Sequence, residues 1–552
     1  MRSIGPPASE RPAGRRPLQA RVETVAALTS VFWLFCANRP FLLGALRGRE
    51  VADASAWGLA MALMLALLAL HFFLLLLVAN RWTIKPLIGF LLLGTAFASW
   101  FMDEHGVYLD PGMLRNVLNT DVAEARELFS ARMLPHLLWQ ALLPMLLLWR
   151  VDIVRQPLGR ASAVRAGALT LALVVLIAAV MAVFQPLSSL MRSQKELRFL
   201  ITPANYLWSL GVVAAGDTRQ ALLPRIAVGE DARLGPGSAA PSRPTLLVIV
   251  VGETARAANW GLSGYARATT PLLAQLPVLN FAHVRSCGTN TEVSLPCMFA
   301  PVGRREYNED AIRRRQSLLH VLARAGVGVH WLDNQSGCKG VCEGLSYERV
   351  LDRRPTGVCE ADRCHDEGLL DGLDQRLATA RGTQVLILHQ LGNHGPAYFR
   401  RYPPAFAHFK PACEHDDLGR CSVAEIVNAY DNALRYTDHV LARLVGQLQA
   451  RSAQVDSAMI YVSDHGESLG ENGLFLHGLP YAIAPDVQTH VPMVMWWSAG
   501  FEVAARLDRD CMRRRAAKPA SHDHLFHTVL SLLDVQTRAL EPAWDLTQGC
   551  RR

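Results

Sequence analysis

Charge is nearly missing from five long stretches of this sequence, and cysteine is nearly missing from its first half. Residues 24–46, 56–79, 86–101, 133–149 and 163–185 consist mainly of Leu, Ala, Val, Phe and Met. The run LAMALMLALLALHFFLLLLVA has no polar face to turn toward water, which excludes a helix of a soluble bundle. Five membrane-spanning helices are expected, the two runs shorter than roughly 20 residues being extended by their flanks. The first run begins only after more than twenty residues and four more follow it, so a cleaved leader peptide is not expected. The cysteine spacings do not repeat as paired C-x-x-C knuckles, which argues against a cysteine-bound zinc cluster. No RNA- or DNA-binding motif accompanies the net charge of +8, and an anionic membrane surface is its simpler partner.

What charge there is sets the expected topology, because short cytoplasmic segments retain Arg and Lys. Arg2, Arg11, Arg15, Arg16 and Arg21 precede the first run, Arg81 and Lys85 sit in the 80–85 loop, and Arg150, Arg155, Arg160 and Arg165 in the 150–165 loop. These three segments share one side if five helices alternate. The other two loops are poorer, with Arg47 and Arg49 in one, and Arg115, Arg126 and Arg132 diluted by acids in the other. The N-terminal tail is therefore expected in the cytoplasm and everything after residue 186 outside. Cysteine agrees: Cys36 lies in the first run, and the remaining ten all fall in the part placed outside, where oxidation is permitted. Neighbouring spacings suggest local loops Cys287–Cys297, Cys338–Cys342, Cys359–Cys364 and Cys413–Cys421, with Cys511–Cys550 a weaker fifth.

Three regions follow. Residues 1–185 are the membrane domain. Residues 186–242 combine a stretch mixing Leu, Phe, Tyr and Trp with Arg and Lys, suited to helices lying in the membrane interface, and a Gly/Pro/Ala linker. Residues 243–552 form a second domain. Its opening run, TLLVIVVGET, has the length and β-branched content of a buried parallel strand. Similar runs recur at 327–332, 384–389, 458–463 and 491–497, separated by helical stretches at 313–325, 366–381, 423–450 and 522–534. This alternation predicts an α/β/α layered sheet with ligands beyond the carboxyl ends of its strands. Between the third and fourth runs, Asn116, Thr120 and Glu124 are spaced i, i+4, i+8 and are expected on one helix face. That face is either solvated or a grip on a lipid headgroup.

Chemistry concentrates after the strands. Glu253 follows the first, His394 the third, and Asp464 and His465 the fourth, with Glu467 and His477 just beyond. Carboxylates and imidazoles converging on one sheet edge are a reasonable zinc ligand set, which Thr291 could complete as an alkoxide. Thr291 lies in SCGTNTEVSLPCMF, a Gly/Asn-rich turn where a helix can begin with its N–H groups facing an anion. On these residues alone it is either a nucleophile or an N-cap beside an ordinary staple. The fitting reaction is attack of a hydroxyl on phosphorus, which needs a cation at the alkoxide and positive groups at the phosphoryl oxygens. Lys339 and His394 or His477 are candidates for the second task, and His477 is alternatively the acid that protonates the departing alcohol.

VVGETAR, SCGTNTEVSLPCMF, DNQSGCKGVC, GNHGPAYFRRYP and SDHGESLGENGLFLHG together resemble the membrane-bound phosphoethanolamine transferases that modify lipid A, including the mobile colistin-resistance enzymes. The resemblance covers most of the chain. It implies a five-helix membrane domain in the bacterial inner membrane and a periplasmic domain with the alkaline phosphatase and sulfatase fold. It implies one zinc held by Glu253, Thr291, Asp464 and His465, leaving a second ion open, with Thr291 as nucleophile. Lys339, His394 and His477 are then expected around the transferred phosphate, Glu467 in the same neighbourhood, and Asn116, Thr120 and Glu124 at the donor lipid. Gln335 stands where some mobile members have asparagine, so its substrate contact is in doubt. The implied reaction is two in-line displacements: Thr291 takes phosphoethanolamine from phosphatidylethanolamine, and a lipid A phosphate then takes it from Thr291. Addition of an ammonium group beside a surface phosphate is expected to weaken attraction of cationic peptides such as polymyxin. The alternative acceptors are a lipopolysaccharide core heptose and a periplasmic glucan. A sulfatase is disfavoured because Met298 stands where its signature needs arginine. A non-catalytic sensor is disfavoured because every expected metal and nucleophile position is filled.

Overall fold

The computed structural model describes residues 18–47, 49, 54–120, 122–221, 224–236, 243–360 and 363–552. Arg2, Arg11, Arg15 and Arg16 of the charge argument, and part of the expected linker, lie outside the described residues. The chain forms two compact units, Met1–Asp103 with Arg132–Asn205, and Glu104–Ala131 with Tyr206–Arg552.

The first unit is helical. Ala54–Val78, Ile84–His105 and Leu158–Ala182 have the length and apolarity to cross a membrane. Val22–Cys36 and Arg39–Leu46 make a fourth span if taken together, bent by 54°. Pro40 opens the second half of that pair, and the buried Asn38 amide bonds the carbonyls of Trp33 and Thr202 at 3.0 and 2.7 Å. A side chain inserted at the break thus satisfies backbone that the kink would orphan. The fifth expected run is a shorter apolar helix, Met133–Trp149. At 1.5 Å per residue it falls a little short of a hydrocarbon core of about 30 Å. It is stitched to its neighbour by Ser99, which meets Gln140 Oε1 at 2.9 Å and His136 Nε2 at 3.0 Å. The residues next in sequence form helices at Phe184–Ser193 and Ala204–Ala221 around a 3₁₀ turn, Lys195–Leu200.

The second unit is built on an eight-stranded sheet. In chain order its strands are β1 (Thr245–Gly252), β2 (Leu279–Arg285), β3 (Gly328–Asp333), β4 (Ser346–Arg349), β5 (Thr383–His389), β6 (Asp456–Ser463), β7 (His490–Trp497) and β8 (Ala520–Ser521). They lie in the order β8-β2-β7-β6-β1-β5-β3-β4. β1 is parallel to β5 and β6, while β7 is antiparallel to both β6 and β2. The five expected runs are all strands. β2, β4 and β8 were not expected, because β8 and β4 are short edge strands and β2 alternates apolar with polar residues instead of running continuously apolar.

β1 explains its own sequence. Leu247, Ile249 and Val251 enter one core, and Leu246, Val248 and Val250 the other, so both faces are dry. Each such side chain contributes roughly 1.5–3 kcal/mol by leaving water. The long helix Val423–Ala450 covers the second face with Ile426, Tyr430 and Leu434, opened by a Ser422/Glu425 capping box. Thr291–Met298, Leu318–Arg324 and Asp523–Leu532 cover the first. The expected helix 366–381 is instead a 3₁₀ turn, Asp366–Leu370, and a short helix, Leu373–Ala378, divided at Gly372. All five suggested disulfides are bonded, Cys511–Cys550 included.

One expectation fails in the segment 104–131. Asn116, Thr120 and Glu124 do not share a continuous helix face, because the helix Pro111–Asn119 ends at Thr120, whose φ of −66° and ψ of 128° are extended, and a new helix runs Val122–Glu127. The Thr120 hydroxyl closes the break by donating to the Asn116 carbonyl at 2.8 Å.

Candidate active site

Because β1, β3, β5 and β6 run parallel, and β2 is brought into the same direction by two antiparallel steps through β7, their carboxyl ends share one edge. From that edge emerge Glu253, the turn leading to Thr291, the loop of Gln335 and Lys339, the loop of His394, and Asp464 with His465. Thr291 is the first residue of its helix, not the cap: Asn290 caps it by accepting from the Val293 amide at 3.0 Å. The Thr291 hydroxyl is left to donate to Glu253 Oε2 at 2.9 Å, with His465 Nε2 3.4 Å away.

Glu253, Asp464 and His465 are fully buried, and one ligand atom of each lies within 4.8 Å of the others. His465 Nε2 is 3.2 Å from Glu253 Oε1 and 3.5 Å from Asp464 Oδ2. Its Nδ1–H donates to the Gly466 carbonyl at 3.0 Å, which fixes the ring and turns Nε2 into the site. Burial works against the charge on His465, but Asp464 and Glu253 prevail and raise it to about 10. Burial and the Glu253 charge push Asp464 up to about 6. Burial likewise opposes the Glu253 carboxylate, yet His465 holds it well below the usual range. A proton on His465 thus stands where a cation would balance two carboxylates. Asp464 Oδ2 is buried without a hydrogen-bond partner, and an oxygen left so is costly unless a metal takes it. Among the described residues this is the one group of three or more metal-capable side chains that converges so closely.

The remaining expected residues form a chain of contacts leading away from this cluster. Gln335 donates to Glu253 Oε2 at 3.1 Å, so it supports a carboxylate of the cluster. The His477 ring lies 4.4 Å from that of His465 and 5.6 Å from that of His394. Glu467 holds His477 Nδ1 at 2.7 Å and accepts from the Tyr398 hydroxyl. His394 Nε2 meets Glu124 Oε1 at 3.1 Å; burial disfavours its charge, but Glu124 raises it to about 9. Lys339 donates to Ser336 Oγ at 2.8 Å and lies 3.6 Å from Glu292, the neighbour of Thr291.

Several supporting groups went unseen in the sequence. Asp366 accepts from the Leu391 and Gly392 amides at 2.8 and 2.9 Å, pinning the loop that carries His394. Gly392 is needed there: at its φ of +54° a Cβ would stand 2.6 Å from the Glu253 carbonyl. Asp333 and His389 end adjacent strands and pair at 2.8 Å, fully buried. Position at a strand's carboxyl end, the signal that marked Glu253, was available for both. Ser294 anchors the helix that begins at Thr291 by donating to the Asp464 carbonyl at 2.5 Å.

Residues 245–535 match the Sulfatase family and residues 67–218 the family described as phosphoethanolamine transferase EptA/EptB. The chain is 37% identical over 476 residues to phosphoethanolamine transferase EptA of Escherichia coli K12, spanning 85% of this chain and 86% of that one. It is 36% identical over 523 residues to phosphatidylethanolamine transferase Mcr-1 of Escherichia coli, spanning 93% and 94%. The solved integral membrane protein lipooligosaccharide phosphoethanolamine transferase A of Neisseria meningitidis superimposes with a TM-score of 0.92 at 35% identity, covering 97% of this chain and all of that one.

Proposed function

The chain belongs to the phosphoethanolamine transferase family, and from that premise we propose that it moves phosphoethanolamine from phosphatidylethanolamine to a phosphate of lipid A through a covalent adduct on Thr291. The observation that carries this reading is the Thr291 hydroxyl held 2.9 Å from Glu253 at the mouth of the Glu253, Asp464 and His465 cluster. The donor set of two carboxylates and one imidazole, with an orphaned Asp464 oxygen, fits zinc, and Thr291 Oγ completes four ligands. Bound there, the ion would supply Lewis-acid stabilisation of the threonine alkoxide.

The side chains divide the rest of the work. Glu253 orients the Thr291 hydroxyl and is placed to receive its proton. The helix beginning at Thr291 aims its unpaired N–H groups at the phosphoryl oxygens. His394, protonated at neutral pH beside Glu124, adds positive charge. His477, oriented by Glu467, protonates the departing diglyceride oxygen. In the first step the bond from phosphorus to the diglyceride oxygen breaks as the bond to Thr291 Oγ forms. In the second, a lipid A phosphate oxygen displaces Thr291 and restores its hydroxyl.

The apolar helices hold this unit where both lipids are. The tail is cytoplasmic, the membrane is the bacterial inner membrane, and residues 243–552 work in the periplasm, in keeping with the excess of Arg and Lys in alternate loops and the oxidised cysteines. The product carries less net negative charge and binds polymyxin less. Mass spectrometry of lipid A from Gram-negative cells lacking such enzymes tests the reading. Phosphoethanolamine-bearing lipid A is expected with this chain and not with Thr291→Ala. Unmodified lipid A, with the protein folded and in the membrane, overturns lipid A as acceptor; modified core heptose or glucan would then identify the substrate.

A further inference from the structure

Beside the nucleophile helix lies a cavity of about 390 Å³ whose walls carry Arg115, Arg225, Arg313, Arg315 and Lys339 against one carboxylate, Glu292. Its volume lies within the range of roughly 300–1,000 Å³ of small-ligand sites. Thr291, Glu253, Asp464 and His465 do not line it. Glu292, which does, is next to Thr291, and consecutive helical residues point about 100° apart, so the cavity adjoins the reacting centre without containing it.

Four of the five cations are held in place by the fold. Arg313 bonds the Glu292 carbonyl at 2.7 Å, its carboxylate at 2.9 Å and Glu309 at 3.1 Å. Arg115 pairs with Glu309 as well, and Arg225 with Glu343 while donating to the Gly340 carbonyl at 2.6 Å. Lys339 leans on Glu292. Five cations thus line the cavity beside one carboxylate of its wall, Glu292, a lining whose charge suits an anion such as a phosphate monoester dianion. The side chains of Arg115 and Lys339 are each only 6% exposed, so little water offsets that excess. Guanidinium groups fixed as rigid forks are suited to bidentate phosphate binding.

We propose that this cavity binds a second phosphate monoester of the acceptor, distinct from the one that receives phosphoethanolamine. The assignment rests on the lipid A reading. Phosphatidylethanolamine brings a single phosphate, and that phosphate must reach Thr291, so an anion in a cavity beside the nucleophile belongs to the other substrate. Lipid A, with two phosphates on its glucosamine disaccharide, supplies one to react and one to anchor.

The test compares full-length wild-type and Arg315→Ala protein on bisphosphorylated and monophosphorylated lipid A, and measures diglyceride release from phosphatidylethanolamine without acceptor. Wild type is expected to prefer the bisphosphorylated acceptor by about tenfold in kcat/KM, the scale of one charge-assisted contact, through KM. Arg315→Ala is expected to bring that ratio near one; Arg225→Ala repeats the measurement from another wall. A wild-type ratio of one, or an unchanged ratio in both variants, overturns the proposal. Equal loss in diglyceride release and in transfer also overturns it, by assigning the cavity to the donor. Diglyceride release with transfer to neither acceptor overturns the lipid A reading itself, and this assignment with it.

Discussion

Two charged clusters adjoin the helix Thr291–Met298, and they are unbalanced in opposite senses. Glu253 and Asp464 outnumber His465, are fully buried and leave an oxygen without a hydrogen bond, so that cluster asks for a cation. The arginine-lined cavity outnumbers its carboxylates and asks for an anion. A third cluster in the same unit is paired throughout: Glu127 meets Arg401 and Arg363, and Arg401 Nε donates to the His394 carbonyl at 2.6 Å. Two arginines share one carboxylate there and both are bonded to it, so the difference suggests a rule of position: charge imbalance buried beside Thr291 marks a ligand, whereas ion pairs away from it mark architecture.

The largest effect should come from the negative cluster. On the proposed reading Asp464→Asn removes a zinc ligand, and it is expected to lower the zinc content of the purified protein to near zero and transfer by about 10³-fold or more, several kcal/mol in barrier. Elemental analysis of the purified protein beside a transfer assay checks it. Zinc retained in full would mean that Asp464 does not hold the ion, and the contrast between the two clusters would collapse.

The paired cluster should behave differently. Glu127→Gln leaves two arginine side chains, 3% and 13% exposed, without their carboxylate. Breaking a buried pair from one side costs about 3 kcal/mol, so the urea midpoint of the catalytic unit should fall. The preference for bisphosphorylated acceptor in the surviving folded protein should stay as in wild type. A lost preference with unchanged stability would reverse the rule.

These contrasts differ in how far they could be seen in sequence. The central strands were legible because a strand buried on both faces must be continuously apolar, and Glu253, Asp464 and His465 because they follow such strands directly. The antiparallel setting of β7 and the existence of β2 were not, since pairing direction depends on partners far along the chain. The Asn116, Thr120 and Glu124 spacing misled because periodicity presumes an unbroken helix, and this one breaks at Thr120. The arginine cavity was invisible. Its members come from positions 115, 225, 313 and 315, each an ordinary solvated arginine when taken alone, and Arg115 was weighed only as loop charge. Charge balance is a property of assembled space, and no spacing along the chain announces it.

The smallest predicted effect separates Glu124 from Glu127 on the same short helix. Burial lowers the pKa of His394, and Glu124 at 3.1 Å overrides it, raising it to about 9. A raised folded-state value means that the pair's stabilisation is complete below the ordinary histidine value of about 6.5 and is lost as pH climbs through about 9. On the proposed reading, the charge that His394 offers the phosphoryl group disappears over the same interval. Transfer should therefore show an alkaline limb near 9, and in Glu124→Gln, where the Glu253 charge alone still opposes burial and Arg401, the limb should move to lower pH. The pH profile of kcat in both proteins measures it, with stability at pH 7 reduced far less than in Glu127→Gln. A limb that stays in place would make Glu124 part of the paired architecture with Glu127 and remove it from the proposed reacting centre.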